Sequence, residues 1–227
     1  MSEERAVMVK GAGNALLFLV GFFGLAVAVG FGLSALQIHN IELIGYSIIM
    51  LLCLLGGSLW GRALARISGY ANARSLMITN TLSFGPSIIL VALGLGLFER
   101  ILVEQGQANM PIHILFEILF TAGTFVVTAL NGIANGIALR NARSAARLAL
   151  FSGAAGALGF LIPTLLLDLA GRRVGAPGAA NTATMITNML TGLVFAAATA
   201  GAVLALQMHR LVAMNPALSR PASASAD

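Results

Sequence analysis

Six long apolar stretches divide the chain: Ala15–Leu36, Leu43–Gly61, Leu76–Leu97, Ile112–Leu139, Leu148–Leu169 and Thr182–Met208. Each approaches or exceeds the roughly 20 residues that a helix needs to cross a hydrocarbon core. Open strands are excluded at that depth, because an unpaired β edge finds no hydrogen-bond partner in lipid. The pattern predicts an all-α integral membrane protein with about six transmembrane helices in a bundle. The boundaries follow: a short N-terminal segment over residues 1–14, a six-helix domain over 15–209, and a tail over 210–227. The tail is rich in Pro, Ala and Ser without apolar periodicity and reads as disordered. The first stretch follows Lys10 as a signal peptide would, but it outruns the usual apolar region of about 7–15 residues and is read as a retained helix.

The polar gaps orient these helices. Arg5 and Lys10, then Arg62, Arg66 and Arg74, then Arg140, Arg143 and Arg147, then Arg210 and Arg220 fall on one side. Only Arg100, Arg172 and Arg173 fall on the other, so ten basic residues stand against three and both termini are expected in the cytoplasm, with the chain in the cell (inner) membrane. Glu42, Glu99, Glu104, Glu117 and Asp168 lie toward the opposite side.

Composition sharpens this. Of 227 residues 58% are hydrophobic and 9% charged, far too few charges to cover a soluble domain, and mean hydropathy is +0.92. The net charge of +5 arises from loop arginines, not from a basic patch beside aromatics, so nucleic acid is excluded as a partner. Cys53 is the sole cysteine, which excludes an internal disulfide and any multi-cysteine metal site.

A repeat is hinted at. Asn72-Ala73-Arg74-Ser75 recurs as Asn141-Ala142-Arg143-Ser144, a shift of 69 residues. At that shift Ser83 meets Ser152 and Glu99 meets Asp168. Both copies would run the same way through the membrane, making parallel helical-hairpin repeats. Coincidence in a chain rich in Ala, Arg and Ser is the competing account.

The strongest polar signal is on the fourth stretch. His113, Glu117, Thr121, Thr124, Thr128, Asn131 and Asn135 are spaced 4, 4, 3, 4, 3 and 4, which puts them on one helix face. Such a face is costly against lipid and must meet other helices or water. Asn188 and Thr191 (with Asn181 and Thr184) on the sixth stretch, and Asn80 and Ser83 (with Ser87) on the third, offer partners. The preferred reading is interhelical hydrogen bonding, worth about 0.6 kcal/mol per bond on average. The rival is a polar path for a small solute, ion or proton. Glu117 is the one carboxylate clearly inside a span, and with His113 one turn earlier it reads either as a proton relay or, preferred, as an interfacial cap.

Other residues carry plainer readings. Arg62, Arg66, Arg140, Arg143 and Arg147 form cationic faces that anchor topology and meet lipid headgroups. Gly24, Ala28 and Gly32 on the first stretch, and Gly57 and Gly61 on the second, are small residues four apart that let helices pack closely. Gly85-Pro86 and Pro163 mark kinks. The chain has no phosphate-binding loop, zinc-protease or nucleophile-elbow signature. His39, His113 and His209 do not cluster, and Asn215-Pro216-Ala217 stands alone in the tail, unlike the paired motif of aquaporins.

Two function classes follow. The leading one is a non-enzymatic accessory or scaffold subunit of a membrane assembly, in contact with the lipid bilayer and with other membrane subunits or copies of itself. The alternative is a small transporter or channel using the fourth-helix stripe. No residue set points to a cofactor, metal or catalytic centre, while a pigment- or haem-binding subunit stays open because such groups need few signature residues.

Overall fold

A computed structural model describes residues 2–35, 41–83, 87, 112–173 and 182–219. Among the described residues the regular elements are helices, without a strand: α1 (Glu3–Ala35), α2 (Ile41–Ser68), α3 (73–83), α4 (Ile112–Ala138), α5 (Ala142–Arg173) and α6 (Thr182–Ala213). A 3-10 turn (Pro216–Leu218) follows α6. Three helices, α4, α5 and α6, are long and apolar enough to cross a membrane. The Gly85-Pro86 kink, His39, Glu99 and Asn181 lie outside the described residues, as do the side chains of Gly32, Cys53 and His113. The helix α5 continues through Pro163.

Each helix packs on the next, and α6 closes the circuit by packing on α1. Small residues set three of these contacts. A Cβ at Gly57 would lie 2.6 Å from the Asn80 carbonyl on α3, and one at Gly61 would strike the Leu76 carbonyl. Gly132 stands in the same relation to Leu148 and Ala149 on α5, and Gly136 to Ala145. Gly201 meets Ala15 and the Gly11 carbonyl on α1, and Gly11 in turn meets Ala205. On α1 Gly24 has nothing within 4 Å and Ala28 is exposed, and the close approach falls at Gly11, roughly three and a half turns before Gly24.

The turns share chemistry as well. The Asn72 side chain accepts from the Ser75 amide at 3.1 Å, and Asn141 accepts from Ser144 at 3.1 Å, so each Asn caps the helix that follows it. Gly69 (φ 75°) and Arg140 (φ 55°) adopt the left-handed conformation that ends a helix, which costs nothing for glycine and strains arginine.

These turns lie beside the termini at one end, the basal end. There Trp60, Leu64, Tyr70, Leu76, Leu139, Leu148, Leu204, Met208 and Val212 form the buried core. Glu4 takes a bidentate grip on Arg210 at 2.8 and 2.9 Å, tying α1 to α6. Farther along the helices, Leu17, Leu51, Leu82, Ile118, Leu150, Leu158 and Leu166 are exposed, as a lipid-facing surface requires.

Residues 210–219, expected within a free tail, pack against the rest of the chain. The helix α6 runs to Ala213, the Ala71 amide donates to the Leu218 carbonyl at 2.9 Å, and Tyr70 pairs with Ser219. A Pro-, Ala- and Ser-rich composition without apolar periodicity suggested disorder, but Pro216 starts the turn that carries the chain back onto Tyr70.

Candidate functional site: an asparagine cluster beside an apolar cavity

The α2–α3 glycine contacts bring the α3 backbone hard against α2, and so carry Asn80 into the bundle centre, where it is fully buried. Its Nδ2 donates to the Leu76 carbonyl one turn back at 2.8 Å, which fixes the side chain, and to Asn135 Oδ1 at 2.9 Å. Its Oδ1 accepts from Asn131 Nδ2 at 2.7 Å and from Asn135 Nδ2 at 3.3 Å. Asn135 also donates to the Asn131 carbonyl at 2.7 Å. Trp60 on α2 donates its indole N–H to Asn131 Oδ1 at 3.3 Å. Three amides and one indole thus join α2, α3 and α4, with every side-chain polar atom partnered.

The stripe on α4 therefore divides. Its basal part, Asn131 and Asn135, meets Asn80. In its middle, Thr128 donates to the Thr124 carbonyl at 2.6 Å and Thr124 to the Thr121 carbonyl at 2.9 Å, so both hydroxyls turn back onto their own helix. Toward the far end Glu117 is half-buried, and the Thr121 hydroxyl is buried with no partner among the described residues. Ser83 donates to the Asn80 carbonyl, and Asn188 and Thr191 lie half-buried on α6, away from the cluster. Cross-helix hydroxyl bonds continue the pattern: Ser152 to the Thr128 carbonyl at 2.8 Å and Thr199 to the Ala155 carbonyl at 2.8 Å.

Beside the cluster lies a cavity of about 350 Å³. Phe18 and Leu19 of α1, Trp60 of α2, Phe120, Val127 and Asn131 of α4, Ser152 of α5, and Leu193 and Leu204 of α6 line it. Its surface is almost wholly apolar, because the Thr124, Thr128, Ser152 and Asn131 polar atoms are spent within the protein.

The cluster holds no titratable group, and no group of three His, Cys, Asp or Glu side chains comes together among the described residues. Arg62, Arg66, Arg140, Arg143 and Arg147 are all exposed, with Arg147 stacked 5.7 Å over the Phe151 ring. At the basal end, the Arg210 hydrogen bond holds the Glu4 carboxyl below its ordinary value. Burial pushes the Tyr70 phenol up, against the partial opposition of Arg140. Its hydroxyl donates to the Ala138 carbonyl at 2.9 Å, joining the α2–α3 turn to the end of α4.

Sequence reasoning missed Trp60 and Tyr70. The available signal was that a buried Trp or Tyr needs a partner for its single N–H or O–H. Which partner depends on helix neighbours that spacing along one helix does not reveal. No protein family, curated protein or solved structure matches the chain.

Proposed function

We propose that the chain is a six-span membrane protein, built of three parallel helical hairpins, that serves as a non-enzymatic accessory or scaffold subunit of a membrane assembly. The repeat is supported by equivalent contacts. Gly11, Asn80 and Ala149 follow one another at 69 residues, and they face Gly201, Gly57 and Gly132 respectively. Arg5, Arg74 and Arg143 share the same interval. In this reading α1–α2, α3–α4 and α5–α6 are the units, and the small-residue face of each second helix seats the next unit's first helix. In this reading α1, α2 and the third apolar stretch, Leu76–Leu97, cross the membrane as their counterparts α4, α5 and α6 are long and apolar enough to do. The basal end, rich in exposed arginine, faces the cytoplasm of the cell (inner) membrane by the positive-inside rule.

One observation carries the functional reading: the polar groups of the α4 stripe that reach the bundle centre are consumed by protein partners. A solute path needs such groups available to the solute, whereas helix glue needs them used up. The transporter reading retains one supporting observation, the buried Thr121 hydroxyl without a partner. Two measurements test the proposal. Purified chain in proteoliposomes carrying a pH-sensitive dye is expected to show no proton flux; flux that Asn131→Leu abolishes would overturn the scaffold role. Gentle extraction from native membranes is expected to yield a complex with stoichiometric membrane subunits; a solitary chain would count against it.

A further inference from the structure

Near the basal end the exposed surface changes character on four consecutive helices. On α2, Leu55 and Leu59 are exposed, and the exposed Arg62 follows Leu59 by three residues, on the same face. On α3, exposed Arg74 precedes the exposed Ile78 by four residues and Leu82 by eight. Ile133 and Ile137 are exposed on α4, and Arg140 follows Ile137 by three, just past the helix end. On α5, exposed Arg143 and Arg147 stand seven and three residues before the exposed Leu150. Each helix thus turns from aliphatic to cationic along one face.

The interhelical contacts put that change at a common height. Gly61 abuts the Leu76 carbonyl, Asn80 bonds to Asn135, and Gly136 abuts Ala145. Counted from those contacts, Arg62, Arg74, Arg140 and Arg143 lie within about one turn of one another along the bundle. Arg66 lies one turn farther out and Arg147 one turn deeper, where its guanidinium sits 5.7 Å over the Phe151 ring. Residues 60–83 and 130–151 carry six arginines and no Asp or Glu to balance them. The acids at this end, Glu3 and Glu4 of α1, turn to His209 and Arg210 of α6.

A cationic ring directly bordering an aliphatic belt fits the boundary between acyl chains and headgroups. There the arginine stem runs along apolar surface while its guanidinium reaches the phosphates, which it can grip in bidentate fashion. The ring spreads over four helices instead of forming one patch, which suits an annulus of lipid better than a single acidic protein.

We propose that this arginine ring holds the phosphodiester headgroups of anionic phospholipids in the leaflet at the basal end, giving the protein a selected lipid shell. The proposal rests on the membrane reading above and adds to it a preference among lipids.

The test uses the full chain reconstituted in phosphatidylcholine vesicles, with spin-labelled phosphatidylglycerol or spin-labelled phosphatidylcholine as the probe. Electron spin resonance separates lipid slowed at the protein surface from bulk lipid. One arginine near an anionic surface is worth about fivefold, so phosphatidylglycerol should be favoured by about threefold when the basal leaflet is averaged with an indifferent opposite leaflet. The preference should fade in about 1 M salt, where the screening length is about 3 Å. Arg62→Gln with Arg66→Gln and, independently, Arg143→Gln with Arg147→Gln should each lower it, and replacing all six arginines by glutamine should abolish it. The double variants retain most basal cations, so their insertion should be normal, and Trp60 emission reports folding. Equal slowing of both probes by the wild type, or a preference that the sixfold variant keeps, would overturn the ring while leaving the membrane reading intact. No slowed lipid of either kind would overturn both. A wild type without lipid preference whose sixfold variant loses co-extracted subunits would assign the ring to an acidic protein partner and overturn the lipid proposal.

Discussion

Replacing Asn80 by leucine removes one amide of near-identical size and strands two others. Asn131 Nδ2 loses its acceptor and Asn135 Oδ1 loses its donor, both in the buried centre where neither can turn to water. A buried polar group left without a partner costs about 1–3 kcal/mol, so two cost about 2–6 kcal/mol before the leucine's own burial offsets part of it. The lower limit comes from membrane helices, where an interhelical bond averages roughly 0.6 kcal/mol. An observed loss of about 2 kcal/mol or more is expected. The same physics makes a sharper claim. In the triple variant Asn80→Leu, Asn131→Leu, Asn135→Leu no amide remains to be stranded, and only the Trp60 N–H loses its partner. The triple should therefore cost about 1–3 kcal/mol, less than the sum of its parts. Trp60 is the only tryptophan in the chain and bonds directly to the cluster, so its emission during denaturant titration in mild detergent follows this site. A single variant within about 0.5 kcal/mol of wild type, or a triple that equals the sum of the three singles, would refute the reasoning.

Other consequences are as definite. Gly132→Val drives a Cβ into the α5 backbone at Leu148 and should cost about 1–3 kcal/mol of stability in the same titration, whereas Gly24→Val, in open space, should stay within about 0.5 kcal/mol. Tyr70→Phe deletes the bond to the Ala138 carbonyl and should cost about 0.5–1.5 kcal/mol, with faster amide hydrogen exchange at residues 69–72 and 217–219. Because the Tyr70 phenol is raised from its ordinary 10.0, its stabilisation is fully present below pH 10 and is lost as pH rises through the folded value, a loss that Tyr70→Phe should abolish. Glu4 behaves oppositely: its carboxyl is lowered from 4.5, so its contribution is present above that pH and lost as pH falls through the folded value. Thermal midpoints of Glu4→Gln against wild type, taken from pH 7 to 3, should converge at the acid end. A reporter fused after Asp227 should be active only when it folds in the cytoplasm.

The asparagines themselves were legible in the sequence, since the 3–4 spacing on α4 demanded polar partners and Asn80 stood on a neighbouring stretch with the right chemistry. Their joint closure with Trp60 was not, because spacing along one helix fixes a face but not what faces it. Thr124 and Thr128 show the limit of pattern reading: on sequence they extend a polar track, yet each hydroxyl bends to its own helix and leaves the wall apolar. Likewise Gly24, Ala28 and Gly57, Gly61 share one spacing, and only the second pair meets another backbone.

By itself, the sequence determined helical class and polar faces, because hydrophobic periodicity and the satisfaction of backbone hydrogen bonds in lipid are local requirements. It also carried the paired Asn72 and Asn141 caps, since a cap depends only on residues within one turn. Tertiary structure decided the rest: which glycines touch, that residues 214–219 return to Tyr70, and that a polar stripe borders an apolar slot. Those outcomes depend on where six helices stand relative to one another. Contacts between residues such as Gly11 and Gly201 are set by packing geometry across the whole chain, not by any window along it.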